Sequence, residues 1–266
     1  MSQQSKMKNI QTAVILCGGK GTRLGNLGKK IPKTLVKIQG KEILWYIIKI
    51  LKRNKFNHLV LPLGYKGNLI KKFLKNNKNF NMKIDCISTG VNSNIGYRIA
   101  QIQRKIKSDD LLLLNGDAIF KININKIFKD HVKQNKIVSF LSGEIVYPYG
   151  TIGVVGGNVK DFKRNLIYDA LNVRSKKKYT AYNYTGMSII KNKMIRKYKN
   201  IYKNSKNFEQ TFFPRLIRSN KSQLIKVKGF WHSVDNIKDL EMVDKQSKKN
   251  LKYLKARDLK KSLLKN

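Results

Sequence analysis

Residues 13–36 read AVILCGGKGTRLGNLGKKIPKTLV, an apolar run that passes abruptly into a glycine-rich basic loop. Ala13 to Leu16 has the continuous hydrophobicity of a strand covered on both faces. In the following Gly18-Gly19-Lys20-Gly21-Thr22-Arg23, the three glycines lack Cβ atoms and let backbone N–H groups approach phosphate oxygens closely. Arg23 offers a fork for two oxygens, and Lys33, directly after Pro32, adds a mobile point charge. The stretch therefore reads as a strand leading into a triphosphate cradle. It is not a Walker loop, which needs GxxxxGK and then Ser or Thr, and it lacks the third glycine of the dinucleotide fingerprint. Gly25 to Lys30 is too rich in Gly and Lys to open a good helix.

Outward from this loop, strands alternate with helical segments. Thr12 to Cys17 is the first predicted strand, and Glu42 to Asn54 an amphipathic helix with Ile43, Leu44, Ile47, Ile48 and Leu51 on one face. Leu59 to Leu63 predicts a second strand, Asn68 to Lys75 a helix, and Met82 to Ile87 a third strand. Ile95, Ile99, Ile102 and Ile106 mark one face of a third helix, and Leu111 to Leu114 is a fully apolar fourth strand. In the second half, Val154 to Val159 predicts a hairpin, Ala181 to Ile190 a strand, Phe208 to Arg218 a helix and Gln223 to Val227 a strand, with helix from Ile237 onward. Such alternation implies an α/β fold, Rossmann-like, with three α/β/α layers around a mixed, mainly parallel sheet. No repeat or proline-rich linker divides the chain. Residues 1–266 are read as one domain: about 10–142 a nucleotide-binding half, 143–250 an acceptor-binding half, and 251–266 a basic C-terminal helix or tail.

With 266 residues, 41% of them hydrophobic, the chain can bury a large core. A mean hydropathy of −0.44 and the lack of any apolar run near the ~20 residues that span a bilayer argue against a membrane protein. The N-terminal MSQQSKMKN shows no apolar signal segment, and Cys17 and Cys86 have no CxxC spacing. A cytoplasmic protein is the expectation. The net charge of +42 invites a nucleic-acid reading, but lysine is spread over the whole chain beside Asn and Ile instead of forming one stripe. No specific nucleic-acid partner is expected.

Asn115-Gly116-Asp117 follows the strand Leu111 to Leu114, and ligands of open α/β sheets bind beyond such carboxyl ends. A carboxylate there suits Mg²⁺, although an aspartate capping the turn toward Ile119 is an equally economical reading from these residues alone.

GGxGTRL…PK, here Gly18 to Leu24 with Pro32-Lys33, resembles the signature of the sugar-1-phosphate nucleotidyltransferases, also called nucleoside-diphosphate-sugar pyrophosphorylases. Residues 10 to 250 are most similar to the glucose-1-phosphate cytidylyltransferase branch. Gly229-Phe230-Trp231-His232-Ser233-Val234-Asp235-Asn236 resembles its GFWxxMDT, Glu42 to Ile47 its PILWHI, and Gly64-Tyr65-Lys66-Gly67 its GYKG. Thr89-Gly90 with Ile95 to Arg98 has the spacing of TGxxxxTGGR, and Phe208-Glu209-Gln210 is similar to the start of WEQEP. The chain also departs from the branch. Its long loop before TGxxxxTGGR is missing, Tyr97 replaces one of the paired glycines, and no EKP lies between Phe162 and Tyr179, where Lys176, Lys177 and Lys178 are open substitutes.

The resemblance implies Mg²⁺-dependent transfer of NMP from an NTP, CTP favoured, to a sugar 1-phosphate, with release of pyrophosphate. The missing EKP leaves open a non-sugar phosphate or phosphonate acceptor, and a non-catalytic relative is the remaining alternative. Arg23, Lys33, Asp117 and Asp235 would be catalytic, with Asp117 and Asp235 holding the metal. Leu16, Cys17, Gly18, Gly19, Gly21, Thr22 and Arg23 would hold the nucleotide together with Thr89, Gly90, Arg98 and Gly116. Thr185, Gly186 and Glu209 would face the acceptor. His232 has no second His or Cys at ligand spacing and is read as a hydrogen-bonded or exposed side chain. Homo-oligomerisation is left open.

Overall fold

A computed structural model describes residues 11–146, 150–164, 166–168, 170–172, 180–252 and 254. Seven strands form one sheet: β1 (Thr12–Leu16), β2 (His58–Leu63), β3 (Lys83–Ser88), β4 (Asp110–Asn115), β5 (Val138–Ser142), β6 (Tyr184–Lys191) and β7 (Ser222–Lys226). Their spatial order is β7-β5-β6-β4-β1-β2-β3. Every pairing is parallel except the two made by β6, which runs against both β4 and β5. The expected mixed, mainly parallel sheet is present, and β6 is its one reversed strand.

The longer helices are α1 (Ile43–Arg53), α2 (Gly67–Asn76), α3 (Ile95–Ile102), α4 (Ile124–Lys133), α5 (Phe208–Ile217) and α6 (Ile237–Asn250). Successive strand residues point to opposite faces, so the central strands feed two separate cores. Ala13, Ile15, Leu59, Leu61, Leu112 and Leu114 pack with α1, α2 and parts of α4 and α6. Val14, Val60, Leu111 and Leu113 pack on the other face with α3 and α5. That division is why β1, β2 and β4 read as unbroken apolar runs: each residue meets a helix layer whichever way it points.

Several expectations shift. Ile95 is 40% exposed and lies at the rim of a cleft, while Ile99, Ile102 and Ile106 are buried as the periodicity demands. Ile95 is the first residue of α3, beyond the part of that helix that packs on the sheet. The helical run ends at Ile102 in a 3₁₀ turn, Gln103–Lys105. The single strand expected over Ala181 to Ile190 is two strands, Thr180–Tyr182 against Ala170–Asn172 and then β6. Asn183 separates them. Gly25 to Lys30 does contain a short helix, Asn26–Lys30, contrary to its poor propensity. Its last carbonyls explain why: Lys66 Nζ donates to the oxygens of Lys29 and Lys30, and Tyr65 Oη donates to Lys29, so tertiary contacts satisfy a helix end that local sequence would not. The hairpin of Val154 to Val159 is present within Gly150–Val155 and Asn158–Arg164. Most of the expected basic tail over 251–266 lies outside the described residues.

Candidate active site

The signature loop leaves β1 at the carboxyl end of the sheet and lines a cleft of about 570 Å³. One wall comprises Leu16 to Gly21, the floor comprises Asn115, Gly116 and Asp117 beyond β4, and Val91 to Ile95 close the far side. Strand ends create this opening because β1 and β4 are neighbours whose following loops must part.

Two aspartates distant in sequence meet at its mouth through backbone pairing. Ala118–Phe120 pairs antiparallel with Trp231–Ser233, with Ala118 opposite Ser233. Val234 N–H then donates to Asp117 O at 3.0 Å, so the pairing continues until Asp117 and Asp235 lie side by side. Asp235 is fixed from behind as well. Asn236 and Asp239 form a capping box at the start of α6, and Asp239 also accepts the Asp235 N–H at 2.8 Å.

Lys33 completes the arrangement. It begins a 3₁₀ turn, Lys33–Leu35, after Pro32 in extended conformation, and Nζ donates to Asp117 Oδ2 at 2.7 Å and to Asp235 Oδ1 at 2.8 Å. Arg23 lies 3.5 Å from the same Asp235 oxygen. Side-chain exposure grades outward from 16% for Lys33 through 24% and 43% for Asp117 and Asp235 to 77% for Arg23. Burial alone would lower the Lys33 pKa, yet the Asp117 charge and hydrogen bonds to both carboxylates raise it above the ordinary lysine value. Burial likewise opposes ionisation of Asp235, but the Lys33 bond and charge, helped by Arg23, hold its carboxyl below the usual range.

The remaining expected residues divide. Leu16, Cys17, Gly18, Gly19, Gly21, Arg98 and Gly116 line the cleft. Burial pushes the Cys17 thiol up, so it remains a neutral part of the wall. Arg98 is buried with its guanidinium bonded to Gly18 O, Thr89 Oγ1, Val91 O and Ser93 O, and a Cβ on Gly18 would overlap it. It ties the signature loop to the far wall. Thr89 gives its hydroxyl to Leu63 O at 2.8 Å, and with Gly90 it lines an adjoining recess instead of the main cleft. Thr22 is exposed on the 3₁₀ turn Thr22–Leu24. On the acceptor side, Thr185 is buried and donates to Leu141 O at 2.9 Å. Gly186 has a φ of 72°, and its bare Cα faces the Asn115 amide of the cleft wall. Glu209 is exposed on the first turn of α5. Lys176, Lys177 and Lys178 lie outside the described residues.

Lys20, Lys206 and the Asn92-Ser93-Asn94 run also line the cleft and were not singled out from sequence. Lys20 lies inside the signature and could have been; Lys206 reaches the cleft only through tertiary packing. His232 packs at a tilt against Phe230, ring centroids 5.1 Å apart, and is half-buried, which lowers its pKa. Among the described residues no group of three or more His, Cys, Asp or Glu gathers as a metal site. A hard divalent ion nevertheless fits the donor set, because Asp117 and Asp235 aim two carboxylate oxygens at one point that the Lys33 ammonium shows to be hospitable to a cation.

Comparison with known proteins identifies the family. The nucleotidyl transferase family model matches residues 12–250. The "Probable glucose-1-phosphate cytidylyltransferase" of Bacillus subtilis (strain 168) is 29% identical, over 88% of this chain and 94% of its own length. The D-glycero-alpha-D-manno-heptose 1-phosphate guanylyltransferase of Aneurinibacillus thermoaerophilus is 26% identical over 60% of this chain and 70% of its own. The crystal structure of HddC from Yersinia pseudotuberculosis superposes with a TM-score of 0.65 at 21% identity, covering 89% of this chain and 99% of that one, which bears on the fold. With a family model matched from the first strand to the end of the last long helix, the chain belongs to the nucleotidyl transferase family.

Proposed function

We propose that this enzyme transfers a nucleotidyl group from CTP to a sugar 1-phosphate, releasing pyrophosphate. The observation that carries the reading is the Lys33 bridge between Asp117 and Asp235, at the end of a cleft whose wall is the glycine-rich loop. Two carboxylates and two cations at the mouth of a phosphate cradle suit a reaction in which negative charge moves between phosphates.

In this reading an acceptor phosphate oxygen attacks the α-phosphorus in line, forming a new P–O bond as the bond to the bridging oxygen of pyrophosphate breaks. The acceptor is already ionised, so no protein nucleophile is needed, and catalysis rests on positioning and charge neutralisation. Lys33 orients the α-phosphate or acceptor phosphate, and Arg23 meets charge gathering on the departing pyrophosphate. The backbone of Leu16 to Gly19 holds base and ribose, with Arg98 keeping that loop fixed to the opposite wall. Asp117 and Asp235 would hold Mg²⁺, which when bound acts as Lewis acid and template for the phosphates. Residues 143–250 supply the acceptor side.

The preference for CTP rests on similarity to the Bacillus subtilis relative, with GTP the second choice because a heptose 1-phosphate guanylyltransferase is also similar. The test is a matrix of four NTPs against a panel of sugar 1-phosphates and simple phosphonates, with pyrophosphate release as readout. Release with CTP and one sugar 1-phosphate supports the proposal. Release with another base, or only with a phosphonate, revises the substrate; none with any pair refutes it.

A further inference from the structure

We infer that Lys33 is the resident counter-cation of the metal site, occupying it in the free enzyme and releasing it when a triphosphate arrives. The inference rests on the nucleotidyl-transfer reading and adds an order of assembly to it. Lys33 Nζ bonds to one oxygen of each aspartate, and its hydrogen-bond partners among the described residues are these two carboxylates. Its side chain is the least exposed of the four charged groups, so the ammonium stands between the carboxylates instead of trailing into solvent.

A divalent ion needs those same oxygens, and two cations cannot share them at bonding distance without strong mutual repulsion. Arg23, 3.5 Å from Asp235, makes the pocket still less attractive to a second cation. Two carboxylates facing two basic side chains are already neutral. A nucleoside triphosphate changes the balance, because it brings several negative charges and offers both Lys33 and Arg23 new oxygens beside the glycine-rich loop. Lys33 then has somewhere to go, and the vacated carboxylates have a metal to hold. Metal and nucleotide thus become reciprocally coupled through one side chain, each raising the affinity for the other. A free enzyme that does not collect metal also keeps its charged cluster closed until substrate is present.

The experiment measures Mn²⁺ binding by the full chain, through loss of the free-ion electron paramagnetic signal, without nucleotide and with a non-hydrolysable CTP analogue. Wild type without nucleotide should bind weakly. Lys33→Met, which keeps the stem and removes the charge, should bind Mn²⁺ about tenfold or more tightly, corresponding to the lost competition of one charge-assisted pair. Adding Asp117→Asn to Lys33→Met should erase that gain. Lys33→Gln serves as the second variant should Lys33→Met fail to fold, with the same expectation. Nucleotide-free affinity in both variants no higher than in wild type overturns the inference. If Mn²⁺ binding in the nucleotide complex is indifferent to Asp117→Asn and Asp235→Asn, the metal site itself fails, and the inference falls with it.

Discussion

Strand β4 begins at one aspartate and ends just short of another, and the two live in opposite worlds. Asp110, its first residue, is buried; it bonds to His131 Nε2 at 3.1 Å and pairs with Lys191 at 3.5 Å. His131 Nδ1 meets Ser139 Oγ at 2.6 Å, and that oxygen also accepts from Gln223 at 2.7 Å. Asp117, just past the other end, faces a cleft with Lys33, Asp235 and Arg23. The rear cluster contains serine, histidine and aspartate, yet its histidine and serine are fully buried, and Nε2 is turned to the aspartate where a hydrolytic triad would turn it to the serine. It ties β4, β5, β6, β7 and α4 together. Similar ingredients are buried as struts at one end of the strand and, in the proposed reading, serve as machinery where the sheet opens.

The sharpest way to break the contrast is to neutralise each aspartate. Asp117→Asn should reduce turnover by about 10²-fold or more with little change in melting temperature, because it removes charge from an open cluster and no core contact. Asp110→Asn should do the reverse. It leaves Lys191 and His131 facing an uncharged group and should cost about 2 kcal/mol of stability, while turnover per folded molecule stays within about twofold. Thermal melts and pyrophosphate release on both variants check the pair; a catalytic collapse in Asp110→Asn would end the division of labour.

Arg23 should give a smaller effect than the aspartate it touches. Arg23→Ala is expected to lower kcat about tenfold with KM little altered, and Arg23→Lys to restore little, since an ammonium cannot reproduce a fork. A pure KM effect would make Arg23 a ground-state binding residue.

The smallest effect is on stability against pH. Asp235 has a depressed pKa, so its contribution is present above the ordinary carboxylate pKa and is lost as pH falls through the depressed value. Lys33 has a raised pKa, so its contribution is present below the ordinary lysine pKa and is lost as pH rises through the raised value. The stability difference between wild type and Lys33→Met should therefore be level through neutral pH and shrink at both extremes. A difference that peaks near neutrality would point to a histidine instead.

Local patterning made much of this legible. The apolar runs that became β1, β2 and β4 and the glycine-rich turn after β1 are properties of adjacent residues. Asp117 was readable only as one of two alternatives, a ligand beyond the strand end or a cap of the turn toward Ile119. Other features depend on partners remote in sequence. Asp235 was reached through resemblance, since nothing in its own segment reveals that Trp231–Ser233 would pair with Ala118–Phe120. The helix Asn26–Lys30 escaped because its stabilising groups, Tyr65 and Lys66, lie on another turn. Arg98 was assigned to the nucleotide side by resemblance and does line the cleft, but its four protein acceptors are visible only once the chain is folded.

The most direct test of the central claim follows the phosphorus atoms themselves. Phosphorus NMR of a mixture of CTP, a responsive sugar 1-phosphate, Mg²⁺ and enzyme should show the monoester resonance converting to a diphosphate diester as pyrophosphate appears in equal amount, with Asp117→Asn leaving the spectrum unchanged over the same period. Orthophosphate as the product, pyrophosphate without loss of the monoester, or an Asp117→Asn enzyme as fast as wild type would contradict a nucleotidyl-transfer site at the head of β4.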